Sequence, residues 1–290
     1  MFDQGAAALR ALGVNEEVYA CPLCGSVFDI SALTSDLTAS QFLTLEHAPP
    51  KSMGGKAIAL TCNRCNNSAG SKTDHHLPTM RGFEGRVKGF LRRTSAGDGE
   101  VRLKAGRAEV RATLVIDNGI TDFRVLGHNN DPKMVALFLD EMQENQPGGS
   151  FKITFISRAT RSGVARAYVK SAFLVAFAKL GYSFALNDSV TWLREAIILD
   201  SGFDFGQMVL PESMQLAQGI YFVQNAQFFV VSLMQRLVIL PMPKNDKEAL
   251  VAELATVAWG KVLMKKYPMP NGIEAHFDKR DNSFRVSMYS

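Results

Sequence analysis

Two short cysteine pairs, CPLC at 21–24 and CNRC at 62–65, constrain this chain more than any other feature. No other cysteine occurs. A C-x2-C knuckle aims two thiolates at one point, and two knuckles together complete a tetrahedron around one ion. Cys21, Cys24, Cys62 and Cys65 are therefore expected to hold a structural zinc and to close residues 25–61 into a loop. Pro22 and Gly25 suit the tight first knuckle. Four thiolates leave the ion no open position, so this zinc would brace the fold and perform no chemistry. Free buried thiols or two redox pairs are the alternatives, but a thioredoxin-like site wants a single pair at the start of a helix.

The N-terminal MFDQGAAALRALG lacks a basic start followed by an apolar run, so no secretory signal is expected. Metal is then the better reading of the cysteines than disulfides, and the cytoplasm is the default address. The 290 residues are 47% hydrophobic and 21% charged, enough for one large domain or two smaller ones. A formal charge of +4 permits a nucleic-acid partner without arguing for one. The most apolar stretch, Val164 to Phe184, carries Arg166, Lys170 and Lys179, which argues for an amphipathic or buried helix and against a membrane span.

Inside the cysteine-closed loop lies LTLEHAPPKSMGG. Its apolar run reads as a strand ending at Glu46-His47, because neither Pro49 nor Pro50 can donate to a ladder. Adjacent strand residues point to opposite faces, so Glu46 and His47 are not expected to chelate one ion side by side. One binding a metal and the other acting on water is the better fit. The segment NNSAGSKTD after Cys65 is expected to open a helix with Asn66 near its start, and the frame brings that start near the end of the Glu46-His47 strand.

Taken in order, C-x2-C, LEHAPPKSMGG and LTCNRCNNSAGSKTD resemble the HNH, or ββα-metal, endonuclease family. The similarity is greatest to its branch with a four-cysteine zinc, and to the phage endonuclease VII arrangement in which Asn follows the last zinc cysteine. It covers roughly residues 19–77. The resemblance implies that His47 is the general base toward water, while Glu46 and Asn66 hold a divalent Mg2+ or Mn2+. It implies hydrolysis of phosphodiester bonds in DNA; RNA is a possible substrate, and a non-catalytic zinc module binding nucleic acid or protein is the other alternative. Two departures stand out. Where many members carry a bracing Asn, this chain has Ala57, and Glu46 replaces the commoner Asp. His75-His76 invite assignment as a further ligand, but His75 would lie roughly 13 Å along a continuous helix from Asn66, so Asn66 ranks above it. Asp74 reads as a cap, or as an acceptor for Lys72 or His47.

Three regions are expected: an endonuclease module at 1–80, a basic connecting segment at 81–112 and an α+β accessory domain at 113–290. The fold class is α+β, a small zinc-stabilised ββα-metal module followed by a mixed α/β domain. Lys51, Arg64 and Lys72 flank the motif as candidate nucleic-acid contacts. Arg86, Lys88, Arg92 and Arg93 are further candidates in the stretch Arg81 to Arg111, which holds nine basic residues against Glu84, Asp98, Glu100 and Glu109. Residues 113–290 show no reactive constellation; target selection, gating and formation of a homodimer are the roles open to them. No membrane partner is expected. Within them, a hairpin at Asp117-Asn118-Gly119, a helix from Pro132 capped by Asp131, a strand at SFKITFIS and a helix ending at Gly181 are expected. GIYFVQNAQFFVVSLMQRLVILP reads as two strands around Gln224-Asn225, and Asp246 to Lys266 as a helix.

Overall fold

The computed structural model describes the chain outside residues 35–40, 93, 95, 118–119, 145–150, 200, 211–215, 224–225, 244–247, 249, 251–260, 268–271, 279–282 and 289–290. Helices and strands mix throughout, in keeping with the α+β class. The chain divides into two compact units, Met1–Leu77 with Arg161–Ser290, and Pro78–Thr160.

The first unit begins with helix α1 (Phe2–Ala11) and the short paired strands β1 (Tyr19–Ala20) and β2 (Val27–Phe28). Strands β3 (Leu43–Ala48) and β4 (Lys56–Cys62) form an antiparallel pair, and helix α2 (Asn63–Ala69) follows at once. A π-helical turn at Gly70–Asp74 links α2 to helix α3 (His76–Arg92), along which the chain enters the second unit.

The second unit contains strands β5 (Ala96–Ala105), β6 (Ala108–Asp117) and β7 (Ile120–Val125), helix α4 (Pro132–Glu144) and strand β8 (Lys152–Phe155). Its four strands form one sheet in the order β7-β6-β5-β8. Alternate residues of β6 are buried, and Val110, Ala112 and Leu114 pack with Phe138 of α4 in a core of their own. The expected hairpin closes at Asp117 against Ile120, and the Asp131 carboxylate accepts from the Lys133 amide at the start of α4. The stretch 81–112 is consequently not a connecting segment: it supplies a helix and a strand and a half of this sheet.

The chain returns to the first unit with helices α5 (Arg161–Leu180), α6 (Tyr182–Ala185) and α7 (Thr191–Ile198) and strands β9 (Val209–Leu210), β10 (Gly219–Val223), β11 (Phe228–Leu233), β12 (Arg236–Pro241), β13 (Lys261–Tyr267), β14 (Gly272–Asp278) and β15 (Ser283–Met288). The last seven make an antiparallel sheet in the order β15-β14-β13-β10-β11-β12-β9. The apolar run from Gly219 to Pro241 forms three strands instead of two, because Met234 and Gln235 both take positive φ and turn β11 into β12. Lys261–Tyr267 is strand paired with β10 and β14, where a helix was expected; most of the remaining span of that expected helix lies outside the described residues.

The middle of helix α5, from Ala165 to Phe177, is largely buried, and the helix touches β3, β4, β11, β12, α6 and α7. It is the buried alternative of the two expected for this stretch, and among the described residues no helix is long and apolar enough to cross a membrane. Two tyrosine hydroxyls tie the first cysteine arm to its surroundings. Tyr19 Oη donates to the Leu60 carbonyl (3.0 Å) and accepts from the Leu60 amide (3.1 Å), satisfying the open edge of β4. Tyr182 Oη donates to the Ala20 carbonyl at 2.8 Å and accepts from its amide at 3.1 Å. Burial pushes the Tyr19 phenol up to about 12, so it stays protonated and can serve both bonds. Tyr19→Phe leaves two buried backbone groups of Leu60 unpaired. It should destabilise the zinc-loaded protein by about 1–3 kcal/mol in denaturant titration, against a near-neutral effect for a hydroxyl that bonded only water.

Candidate functional site

The four cysteines converge as their spacing requires. Their sulfurs all lie within 4.8 Å of one another, with Cys24 partly exposed and the other three buried. Cys24 Sγ and Cys62 Sγ are 3.7 Å apart. Two sulfurs of a tetrahedral site with metal–sulfur bonds of about 2.3 Å would stand roughly 3.8 Å apart, so the group can hold a zinc ion. Each knuckle is locally braced: the Gly25 amide donates to the Cys21 carbonyl, and the Cys62 amide donates to Cys21 Sγ. Sharing with Cys24 pushes the Cys21 thiol up, and contact with Cys21 likewise pushes Cys65 up. Cys21 in turn holds Cys24 down and brings Cys62 down to about 7. Four thiolates this close repel, and a dication is what allows all four to ionise.

Arg194 of α7 lies against this group, its Nη1 only 3.0 Å from where a Cβ on Gly25 would stand and its Nη2 donating to Thr191 Oγ1 at 2.9 Å. Burial pulls the guanidinium down, while Cys24 and Cys21 pull it back up. Its charge would offset that of a doubly negative four-thiolate zinc.

Past the cysteines, β4 and α2 bring a second group of side chains together. Thr61, next to Cys62, is fully buried and donates from Oγ1 to Glu46 Oε2 at 3.2 Å. Asn66, next to Cys65, donates from Nδ2 to Thr44 Oγ1 at 2.7 Å, and Thr44 Oγ1 donates to the Thr61 carbonyl at 3.2 Å. Thr44 and Glu46 share one face of β3 by strand alternation. Asn66 and Glu46 thus sit on one hydrogen-bonded chain running Asn66–Thr44–Thr61–Glu46, which leaves Asn66 Oδ1 as the oxygen it can offer.

Glu46 is 3% exposed, and its other oxygen, Oε1, accepts from Lys170 Nζ of α5 at 2.8 Å. The same Nζ donates to Asp74 Oδ2 at 2.7 Å. Asp74 therefore takes neither Lys72 nor His47 as its hydrogen-bond partner; the π-helical turn carries it to Lys170. Burial pushes the Glu46 carboxyl up, against the Lys170 ammonium that pulls it down. Asp74 Oδ1 is buried with no hydrogen-bond partner.

His47 is half-buried beyond a register shift between Glu46 and itself: Glu46 faces Ala59 but His47 faces Ala57, so β4 carries Ile58 as an extra residue. Such a bulge re-aims the side chains beside it. The exit from β3 is a tight loop with a cis Ala48–Pro49 peptide. Gly54 has φ of +80° and ends the turn at Lys51–Met53. A Cβ on Gly55 would fall 1.5 Å from the Pro49 carbonyl oxygen, so the loop closes only on glycine. Gly55 thus packs directly against the Pro49 carbonyl at the strand exit.

His76 is buried with its ring over Gly163 of α5, and burial pulls it down; His75 is exposed with its ring 4.0 Å from that of His76. His128 lies in a short turn and His276 on β14. Of the candidate nucleic-acid contacts, Lys51, Arg64 and Lys72 of the first unit are exposed. In the second unit Lys88 and Arg92 are exposed, Arg86 is half-buried across Gly99, and Arg93 lies outside the described residues. Several other basic residues of that stretch face acids: Arg102 with Glu109 at 3.5 Å, Arg111 with Glu100 at 3.9 Å and Arg107 with Glu141 at 3.9 Å.

Sequence reasoning missed Lys170 as a partner of Glu46. The signal was present: a lysine inside VKSAFLVAFAKL needs a buried counter-charge if the helix is core. Arg166, likewise buried, is met by dipoles instead, donating to the carbonyls of Ala196 and Leu199 at the end of α7. No protein-family model, curated protein or solved structure matches the chain.

Gly55→Ala should destabilise the protein by about 1–3 kcal/mol, since the methyl meets backbone that cannot swing away. Gly54→Ala meets open space, so it should lose less, about 1 kcal/mol from holding alanine at φ of +80°. Equal losses in thermal unfolding would show that the close approach to Pro49 is not what closes the loop.

Proposed function

We propose that this chain is a metal-dependent endonuclease that hydrolyses phosphodiester bonds of DNA at the face formed by β3, β4 and α2. The observation that carries the reading is the hydrogen-bonded chain from Asn66 to Glu46 on a hairpin and helix that share their ends with the four-cysteine group. Glu46 and Asn66 would hold Mg2+ or Mn2+. The donors are oxygens suited to a hard cation, and Asp74, which shares Lys170 with Glu46, adds a buried, unpartnered acceptor in Oδ1. Such an ion, when bound, supplies charge stabilisation at the scissile phosphate.

His47, at the strand end just past the bulge, takes the proton from the attacking water. An imidazole nitrogen within reach of the water can act as that base. Thr44 and Thr61 fix the Asn66 amide and the Glu46 carboxylate by hydrogen bonds. The exposed Lys51, Arg64 and Lys72 offer charge to the phosphate backbone. Binding through them should weaken steeply as salt rises.

One observation favours a second reading, a non-catalytic zinc module that binds nucleic acid: both oxygens of Glu46 are already bonded within the protein. A single assay separates the two. Purified protein with Mg2+ or Mn2+ is expected to nick or cut plasmid DNA. His47→Ala should lower that rate by at least about 100-fold while leaving DNA affinity within a factor of about two. Unchanged rates in His47→Ala would remove His47 from the reaction. Intact plasmid in every metal, alongside measurable binding, would favour the second reading, and cleavage confined to RNA would change the substrate.

A further inference from the structure

We propose that Lys170 is the resident cation of the Glu46–Asp74 cluster, and that a divalent ion reaching these oxygens must take the place of its ammonium, so that α5 sets how tightly the site holds metal. The inference rests on Glu46 being a metal-facing ligand, as in the function proposed above, and adds a control on that site from a part of the chain that shows no reactive group of its own.

Three observations carry it. First, the Lys170 side chain is 2% exposed and bridges Glu46 Oε1 and Asp74 Oδ2 at 2.8 and 2.7 Å, so a positive charge already lies between the two carboxylates. Second, the cluster keeps an acceptor to spare. Two carboxylates face one ammonium, and Asp74 Oδ1 is buried without a partner. Third, an ammonium and a dication cannot share adjoining oxygens in a buried site without strong repulsion. The lysine has a flexible four-carbon stem and can withdraw. The helix that carries it is held separately by Arg166, one turn earlier, on the carbonyls of Ala196 and Leu199. Removing the ammonium therefore leaves α5 anchored and two carboxylates without a counter-ion.

The test uses the zinc-loaded full-length protein with Mn2+ as probe, followed by electron paramagnetic resonance of the free ion and by thermal unfolding. Lys170→Met is expected to bind Mn2+ at least about tenfold more tightly than the wild type. With Mn2+ at 100 times its dissociation constant, its melting temperature should rise by about 5–10 °C. Asp74→Asn, which leaves Glu46 and Lys170 as a neutral pair, is expected to show no gain in affinity. Equal Mn2+ affinity in Lys170→Met and wild type would overturn the proposal. Should Lys170→Met fail to fold, Lys170→Gln, which keeps an amide donor, carries the same comparison, and failure of both to fold even with Mn2+ also overturns it. Cleavage is read separately. A gain in Mn2+ affinity without any DNA cutting would sink the nuclease reading and leave this one, and cutting by the wild type without that gain would do the reverse.

Discussion

The convergence of four sulfurs is the constraint from which the rest of the first unit follows. It joins the turn after β1 to the end of β4 and the start of α2, segments about forty residues apart that a pair of short strands would not hold by itself. The side chains that matter chemically are neighbours of those sulfurs along the chain: Thr61 precedes Cys62 and Asn66 follows Cys65. Binding a dication at the sulfurs would accordingly be folding free energy for this region and would fix where Thr61 and Asn66 can reach. The hydroxyls of Tyr19 and Tyr182 and the cation of Arg194 support the same point from α1's neighbour strand, α6 and α7.

Beside that frame stands a buried ionic group with a different character. Glu46, Lys170 and Asp74 come from β3, α5 and the π-helical turn, and each charged partner makes the burial of the others tolerable. Breaking such a group by removing one member costs far more than the pair contributes, since a charge is left without compensation. The group also explains why the buried middle of α5 carries a lysine. In the nuclease reading, the same three side chains connect the candidate metal site to the helix that organises the large sheet, so the two parts of the first unit share one electrostatic centre.

Much of this was legible in the residues. The cysteine spacing announced the sulfur cluster, the prolines marked the end of β3, Asp131-Pro132 opened α4, and Gly181 closed α5. What failed did so for identifiable reasons. Met234-Gln235 carries no glycine or asparagine, so the turn between β11 and β12 has no local signature and its residues look like continuing strand. Lys261–Tyr267 has helix-compatible residues, but its pairing with β10 and β14 prevailed. The partition at residues 80 and 112 followed charge, whereas the fold follows the sheet in which β5 and β6 pair. The link from Lys170 to Glu46 joins residues that no local pattern connects, and only the burial of a cation inside an apolar helix hinted at it.

The metal environment of the purified protein tests the sulfur frame most directly. Zinc-edge X-ray absorption on protein expressed without added chelator should show one zinc per chain in a shell of four sulfurs at about 2.3 Å, with no nitrogen or oxygen neighbour. A mixed sulfur and nitrogen or oxygen shell, or protein that is fully folded with all four thiols free and no zinc, would contradict the account.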